Sequence, residues 1–194
     1  MAATARALIR SSTEADLPAI TAIYAHHVRS SACTFELAPP TEAEMATRRD
    51  DVLAKGLPYL VLEVDDGAGP RVAGYAYANW FKPRPAYRFS AENSIYLAHD
   101  LTGHRLGSAL LAELCAQCER AGLRKLIAVI GELSNTASIR AHERNGFTHV
   151  GVIPGAGWKF DAWREIVLME KTLGSGTATP AHDPTQAAPS TSAK

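Results

Sequence analysis

Residues 98–111, AHDLTGHRLGSALL, place Gly103 and Gly107 where a short apolar run gives way to a helical one. Glycines at a strand-to-helix junction let backbone N–H groups approach a phosphate, and the helix N-terminus adds partial positive charge. The stretch therefore suits an anion. No Lys-Ser/Thr pair follows, which excludes a nucleoside-triphosphate loop, and Gly103-xxx-Gly107 is not a dinucleotide fingerprint. A single-phosphate or pyrophosphate cradle stays open, and so does a plain turn into a helix. Cys115 and Cys118 stand at CxxC spacing, but inside a helical apolar pattern and without a second ligand pair at zinc spacing; they read as core, and no metal is expected. Cys33 could serve as a nucleophile only with a histidine such as His26, His27 or His142 beside it.

Composition limits what these residues can belong to. The 194 residues, 46% hydrophobic and 21% charged, suit one domain with a full core. Twenty basic residues balance twenty acidic ones, so no overall field draws the chain to nucleic acid or an anionic membrane. There is no apolar run of about 18 residues and no signal-like apolar stretch near the N-terminus, and the three cysteines make an odd count, all of which fits a soluble cytoplasmic protein. Residues 1–6 are expected to fray. Residues 174–194, GSGTATPAHDPTQAAPSTSAK, hold almost no large apolar side chain and read as a disordered tail. The domain is therefore placed at 7–173.

Periodicity supplies the elements. ALIR begins a strand, and SSTEADLPAITAIYAHHV is a capped helix with Leu17, Ile20, Ile23, Tyr24 and Val28 on one face. Thr41 caps a polar helix ending near Lys55, and residues 59–81 read as a hairpin around DDGAGP. SIYLAH is a strand beginning at Ser94, preceded by the loop KPRPAYRFSAEN. Helix 106–121 carries Leu106, Leu110, Leu111, Leu114 and Cys118 on one face and stops at Gly122. RKLIAVIG is a buried strand, NTASIRAHERN a helix capped by Asn135, and two strands with a bulged middle close the domain. The order β-α-α-β-β-β-α-β-α-β-β predicts an α/β fold with a mixed sheet and helices on both faces.

This order and several short motifs resemble the GNAT family of N-acetyltransferases. The family's coenzyme A loop, Gln/Arg-x-x-Gly-x-Gly/Ala, falls here on Thr102-Gly103-His104-Arg105-Leu106-Gly107. The last glycine matches, whereas Thr102 replaces the Gln/Arg and Arg105 the first glycine. The family's second signature is matched by Asn135, Ser138, Arg140, His142 and the NGF at 145–147. Within the family, YAHHVRSSACTFE, GYAYANWFKPRPAYRFSAENSIYL, LIAVIGELSN and IRAHERNGF look most like the phosphinothricin and methionine sulfoximine or sulfone acetyltransferases. The resemblance implies a GNAT fold with a mostly antiparallel sheet, acetyl-CoA as cosubstrate, a small amino-acid-like acceptor and a homodimer.

Acetyl transfer to an amine needs an uncharged nitrogen, although an α-amine is mostly protonated at neutral pH, so a base or a water chain to one is required. The resemblance puts a catalytic glutamate at Glu92 and, where most relatives keep a tyrosine to meet the departing thiolate, His142. It assigns coenzyme A to Ile95, Tyr96 and Leu97, whose amides would bind pantetheine, and to Thr102, Gly103, His104, Arg105, Leu106, Gly107, Ser108, Asn135, Ser138 and Arg140. Arg105 and His104 could face pyrophosphate oxygens. For the acceptor, Arg84 and Tyr87 could bind a polar head while Phe35, Tyr77 and Trp80 form walls; Tyr75 and Phe89 are further wall candidates, and Trp158 and Lys159 lie on a segment near the expected mouth. A Cys33–His hydrolase, a coenzyme A-binding module without turnover, and an enzyme acetylating a polyamine, peptide or protein are the competing readings.

Overall fold

The computed structural model describes residues 6–65, 67, 69–101 and 105–181. Thr102, Gly103 and His104, three of the residues assigned to coenzyme A, lie outside the described residues. Seven strands form one sheet in the order β1-β2-β3-β4-β5-β7-β6: β1 (Arg6–Ser11), β2 (Tyr59–Asp65), β3 (Pro70–Trp80), β4 (Ser90–Leu97), β5 (Lys125–Gly131), β6 (Thr148–Lys159) and β7 (Ala162–Thr172). Every neighbouring pair is antiparallel except β4 and β5, which run parallel. A parallel pair needs a crossover, and α3 (Leu106–Arg120) supplies it.

The expected element order holds, with one shift that matters. Strand β4 starts at Ser90, four residues before the expected Ser94, so Glu92 stands on the strand and not on a loop before it. Antiparallel pairing with β3 extends the strand, matching Asn79 with Glu92 and Trp80 with Ala91. That backbone pairing overrides the weak strand preference of Ser, Glu and Asn.

Helix α1 (Leu17–Ser30) packs beside α2 (Glu42–Ala54), and α3 beside α4 (Thr136–Arg144). The expected core residues of α1, Leu17, Ile20, Ile23, Tyr24 and Val28, are all buried. Their starts are set locally. Thr13 and Asp16 form a capping box ahead of α1, Thr41 and Glu44 one at α2, and the Asn135 side chain accepts from Ser138 N at α4. Tyr96 meets Tyr24 of α1 at 5.0 Å between ring centroids, whereas a side chain on Gly107 of α3 would meet Leu97. Adjacent strand residues point to opposite faces, so the α1–α2 and α3–α4 pairs cover opposite sides of the sheet. Cys115 and Cys118 are buried on α3, as core residues should be. No helix among the described residues is long and apolar enough to cross a membrane.

Candidate active site

The parallel pairing of β4 and β5 stops early. Register runs from Ser90–Lys125 to Asn93–Ala128, and beyond it Ser94–Leu97 and 129–131 diverge. A cleft of about 670 Å³ opens through the gap. Strand β3 still pairs with β4 through Leu97, which leaves alternate backbone groups of the outer half of β4 turned toward the cleft. Such a row of amides can pair with an extended, amide-bearing ligand as a further strand would. His27 Nε2–H donates to the Leu97 carbonyl at 2.8 Å.

Two neighbouring residues on β4 serve the two sides of this gap. Glu92 lines the cleft, half-buried, near Tyr77 on the α1 face. Burial raises its carboxyl above the ordinary range, with the Lys82 ammonium pulling the other way. Asn93 points to the opposite face, where its Nδ2 lies 2.9 Å from Nε2 of His142 on α4. His142 is only 2% exposed, its Nδ1 lies 2.8 Å from the Ser138 carbonyl oxygen, and its ring packs edge-on to Phe147. Burial holds this imidazole below its usual pKa.

The segment after α1 closes the α1 side. Gly131, at the end of β5, touches Ala32 so closely that an added Cβ would sit 2.0 Å from the Ala32 carbonyl oxygen. The buried Lys159 ammonium donates to the carbonyls of Ser31 (2.9 Å) and Thr34 (2.7 Å), tying this segment to the end of β6. Phe35 packs closely on Gly157, where a Cβ would come within 2.4 Å of its ring. Tyr24 donates to Glu36, which Arg48 grips through both oxygens. The Cys33 thiol meets Ser31 Oγ at 2.8 Å, and burial pushes its pKa up. No histidine contacts it among the described residues: His27 bonds Leu97, His142 bonds Asn93 and Ser138, and His26 stacks on His99. The Cys–His hydrolase geometry is therefore not formed.

Comparison with known proteins agrees with this geometry. Residues 22–147 match the model of the acetyltransferase (GNAT) family. The chain belongs to the GNAT family. It is 48% identical over 164 residues to the phosphinothricin N-acetyltransferase of Alcaligenes faecalis, covering 84% of this chain and 81% of that one. It is also 36% identical over 184 residues to the L-methionine sulfoximine/L-methionine sulfone acetyltransferase of Pseudomonas aeruginosa, covering 94% and 99%. The crystal structure of a Sinorhizobium meliloti phosphinothricin acetyltransferase in complex with acetyl-CoA superposes with a TM-score of 0.86 at 42% identity, covering 92% of this chain and 94% of that one.

In this GNAT enzyme the residues assigned from sequence fall into three groups. Phe35, Tyr77, Glu92, Ile95, Tyr96, Leu97, Gly107, Asn135, Ser138 and His142 line the one cleft. Leu106, Ser108, Arg105 and Arg140 lie outside its lining: Leu106 packs on the core, Ser108 accepts from Asn145 Nδ2 through both its carbonyl and its hydroxyl, and Arg105 and Arg140 are exposed. Arg105, at the N-cap of α3, has a left-handed backbone with φ 59°. Trp80, Arg84 and Tyr87 are also outside the lining. Trp80 packs against the core with Lys55 over its ring, while Arg84 and Tyr87 sit on the turn before β4, the Tyr87 ring against Phe81. Tyr75 is fully buried core, Phe89 carries Arg88 over its ring, and Trp158 is exposed. Sequence reasoning missed Asn93, Gly131 and the clamp made by Lys159. Asn93 was available from strand alternation once Glu92 was named, but a strand starting at Ser94 hid it.

Proposed function

We propose that the chain transfers the acetyl group of acetyl-CoA to the amine of a small amino-acid-like acceptor of the phosphinothricin or methionine sulfoximine/sulfone class. One observation carries the chemistry: Glu92 and His142 approach the gap between β4 and β5 from opposite faces of the sheet. The pantetheine arm pairs with the free amides of β4, so the thioester carbonyl lies in the gap. The acceptor enters from the α1 side between Phe35 and Tyr77, Glu92 takes its proton, and the amine attacks. A carboxyl raised by burial suits this work, because a base is most effective when its pKa approaches the working pH. Thiolate leaves toward α4, where His142 handles its proton. The relatives' names supply the acceptor class. Arg84 and Tyr87 have no part in this reading.

We also propose a homodimer formed through β6, one of the two edge strands of the sheet. Val150, Val152 and Ile153 on that strand and Trp163 beside it are exposed. An apolar edge strand is an aggregation hazard unless something covers it, and a second copy pairing edge to edge would do so.

The test is coenzyme A thiol release from acetyl-CoA with L-phosphinothricin, L-methionine sulfoximine, L-methionine sulfone, ordinary amino acids, polyamines and a lysine peptide. Turnover confined to the first three supports the proposal. Turnover on peptide or polyamine alone replaces the acceptor, and tight acetyl-CoA binding with no turnover on any amine replaces the enzyme with a binding module.

A further inference from the structure

His142 Nδ1 faces the Ser138 carbonyl oxygen, an atom that only accepts, so Nδ1 carries the hydrogen. Nε2 then presents its lone pair to the Asn93 amide N–H. The opposite amide orientation would require a doubly protonated ring in a buried site. Among the described residues the groups against that ring are Asn93 from β4, Ser138 of its own helix and Phe147, with no carboxylate to balance the charge. The resting ring is therefore neutral and has no proton on Nε2 to give a leaving group. Asn93 itself is only 6% exposed and lines the cleft, yet its Oδ1 is buried with no hydrogen-bond partner. An orphan acceptor beside a nitrogen that must change protonation calls for an explanation.

We infer that Asn93 is the positioning residue that lets His142 take and return a proton, its amide donating to neutral Nε2 and, once turned over, accepting from Nε2–H through Oδ1. The inference rests on the acetyl-transfer reading of the cleft. The acceptor ammonium gives one proton to Glu92, and its nitrogen attacks the thioester carbonyl. The adduct's nitrogen then passes its second surplus proton to Nε2, and Asn93 turns to accept from it. When the C–S bond breaks, its electron pair leaves on sulfur; the thiolate takes the proton from Nε2, and Asn93 returns to its resting orientation. One proton ends on the coenzyme A thiol and the other passes from Glu92 to solvent, so atoms and charge balance.

Long-range ¹H–¹⁵N correlation of the wild-type histidine rings between pH 6 and 8 tests the resting state directly. The expected result is a neutral His142 with hydrogen on Nδ1; hydrogen on Nε2 alone overturns the inference. Asn93→Asp offers only acceptors, so Nε2 gains a hydrogen beside that on Nδ1 and the His142 titration moves up by about one unit or more. Asn93→Leu removes both functions at similar size, and kcat falls about tenfold to a hundredfold, the factor associated with a hydrogen bond to a charged group, with acetyl-CoA KM little changed. A wild-type kcat and pH profile in Asn93→Leu, or a His142 titration unmoved in Asn93→Asp, overturns it. The wild-type ring spectrum needs no variant to fold. It also needs no turnover, so failure of the acetyl-transfer reading shows separately, as absent thiol release from the wild-type protein.

Discussion

Replacing Gly131 by alanine probes how the α1 side of the cleft, where the acceptor is proposed to enter, is built. The new Cβ would lie 2.0 Å from the Ala32 carbonyl oxygen, 3.0 Å from the Ala32 carbonyl carbon and 3.2 Å from Cys33 Cα. Ordinary contact needs about 3.5 Å, so the segment after α1 must recoil by roughly 1.5 Å, because the clash is with backbone and no rotamer relieves it. That recoil strains the two bonds from Lys159 to Ser31 and Thr34. Bonds to a charged group contribute about 1.5–3 kcal/mol each and overpacking costs about 1–3 kcal/mol; with the bonds partly kept, the net loss is about 2–4 kcal/mol. At about 2–4 °C per kcal/mol for a domain of this size, the thermal midpoint should fall by about 5–15 °C. Cys33, Thr34 and Phe35 line the cleft with this segment, so the acceptor KM should rise several-fold more than the acetyl-CoA KM. Differential scanning fluorimetry and steady-state kinetics check both. A midpoint within a degree of wild type, with acceptor KM unchanged, would show that the segment yields freely and that Gly131 does not set the site.

Three other perturbations give distinct outcomes. Glu92→Gln should lower kcat by about 10²–10⁴ without lowering stability at pH 8: burial raises the folded pKa, so ionising Glu92 weakens the fold as pH climbs from the ordinary carboxylate value to the raised one, and glutamine lacks that loss. Wild-type kcat should rise with pH as the folded-state Glu92 carboxyl ionises, above the ordinary carboxylate range, and near-normal turnover in the glutamine variant would remove Glu92 from the chemistry. Arg105→Gly should raise the thermal midpoint by about 2–4 °C, since a left-handed φ of 59° costs an L-residue about 1 kcal/mol, whereas Arg105→Ala should not; a fall in the glycine variant would mean that the guanidinium holds the turn. Val152→Lys with Ile153→Lys should give a monomer by analytical ultracentrifugation, and an intact dimer would place the interface away from β6.

Much of the fold was legible because the elements announce themselves locally. Thr41 with Glu44, Asn135, Gly122 and Gly146 mark helix ends through hydrogen bonds within a few residues, and α1 and α3 show their buried faces by spacing. What local signals could not give was pairing. The strand start at Ser90 depends on β3 lying alongside, and the contacts of Gly131 with Ala32 and of Lys159 with Ser31 join residues about a hundred or more positions apart. The same limit separates the acceptor candidates. Phe35 and Tyr77 fall on the cleft while Trp80, Arg84 and Tyr87, equally suitable by residue type, do not.

In the proposed reaction, the early parting of β4 and β5 lets two adjacent residues act on the two sides of the sheet, Glu92 directly and Asn93 through His142. Within a closed sheet, Glu92 and Asn93 would face separate compartments, because alternation sends them to opposite faces and the backbone ladder seals one from the other. Here the ladder ends at Asn93 and Ala128, one residue past Glu92, so the seal opens beside both side chains. On the proposed mechanism, an amine arriving on the α1 face and a thioester arriving on the α3–α4 face meet in this gap, the first beside Glu92 and the second beside His142. That arrangement requires the gap to stay open at Asn93. An extended residue that re-paired Ser94 with Val129 would close it, and both substrates would lose their meeting point together, with the Glu92 carboxyl and the His142 ring still present in the folded protein.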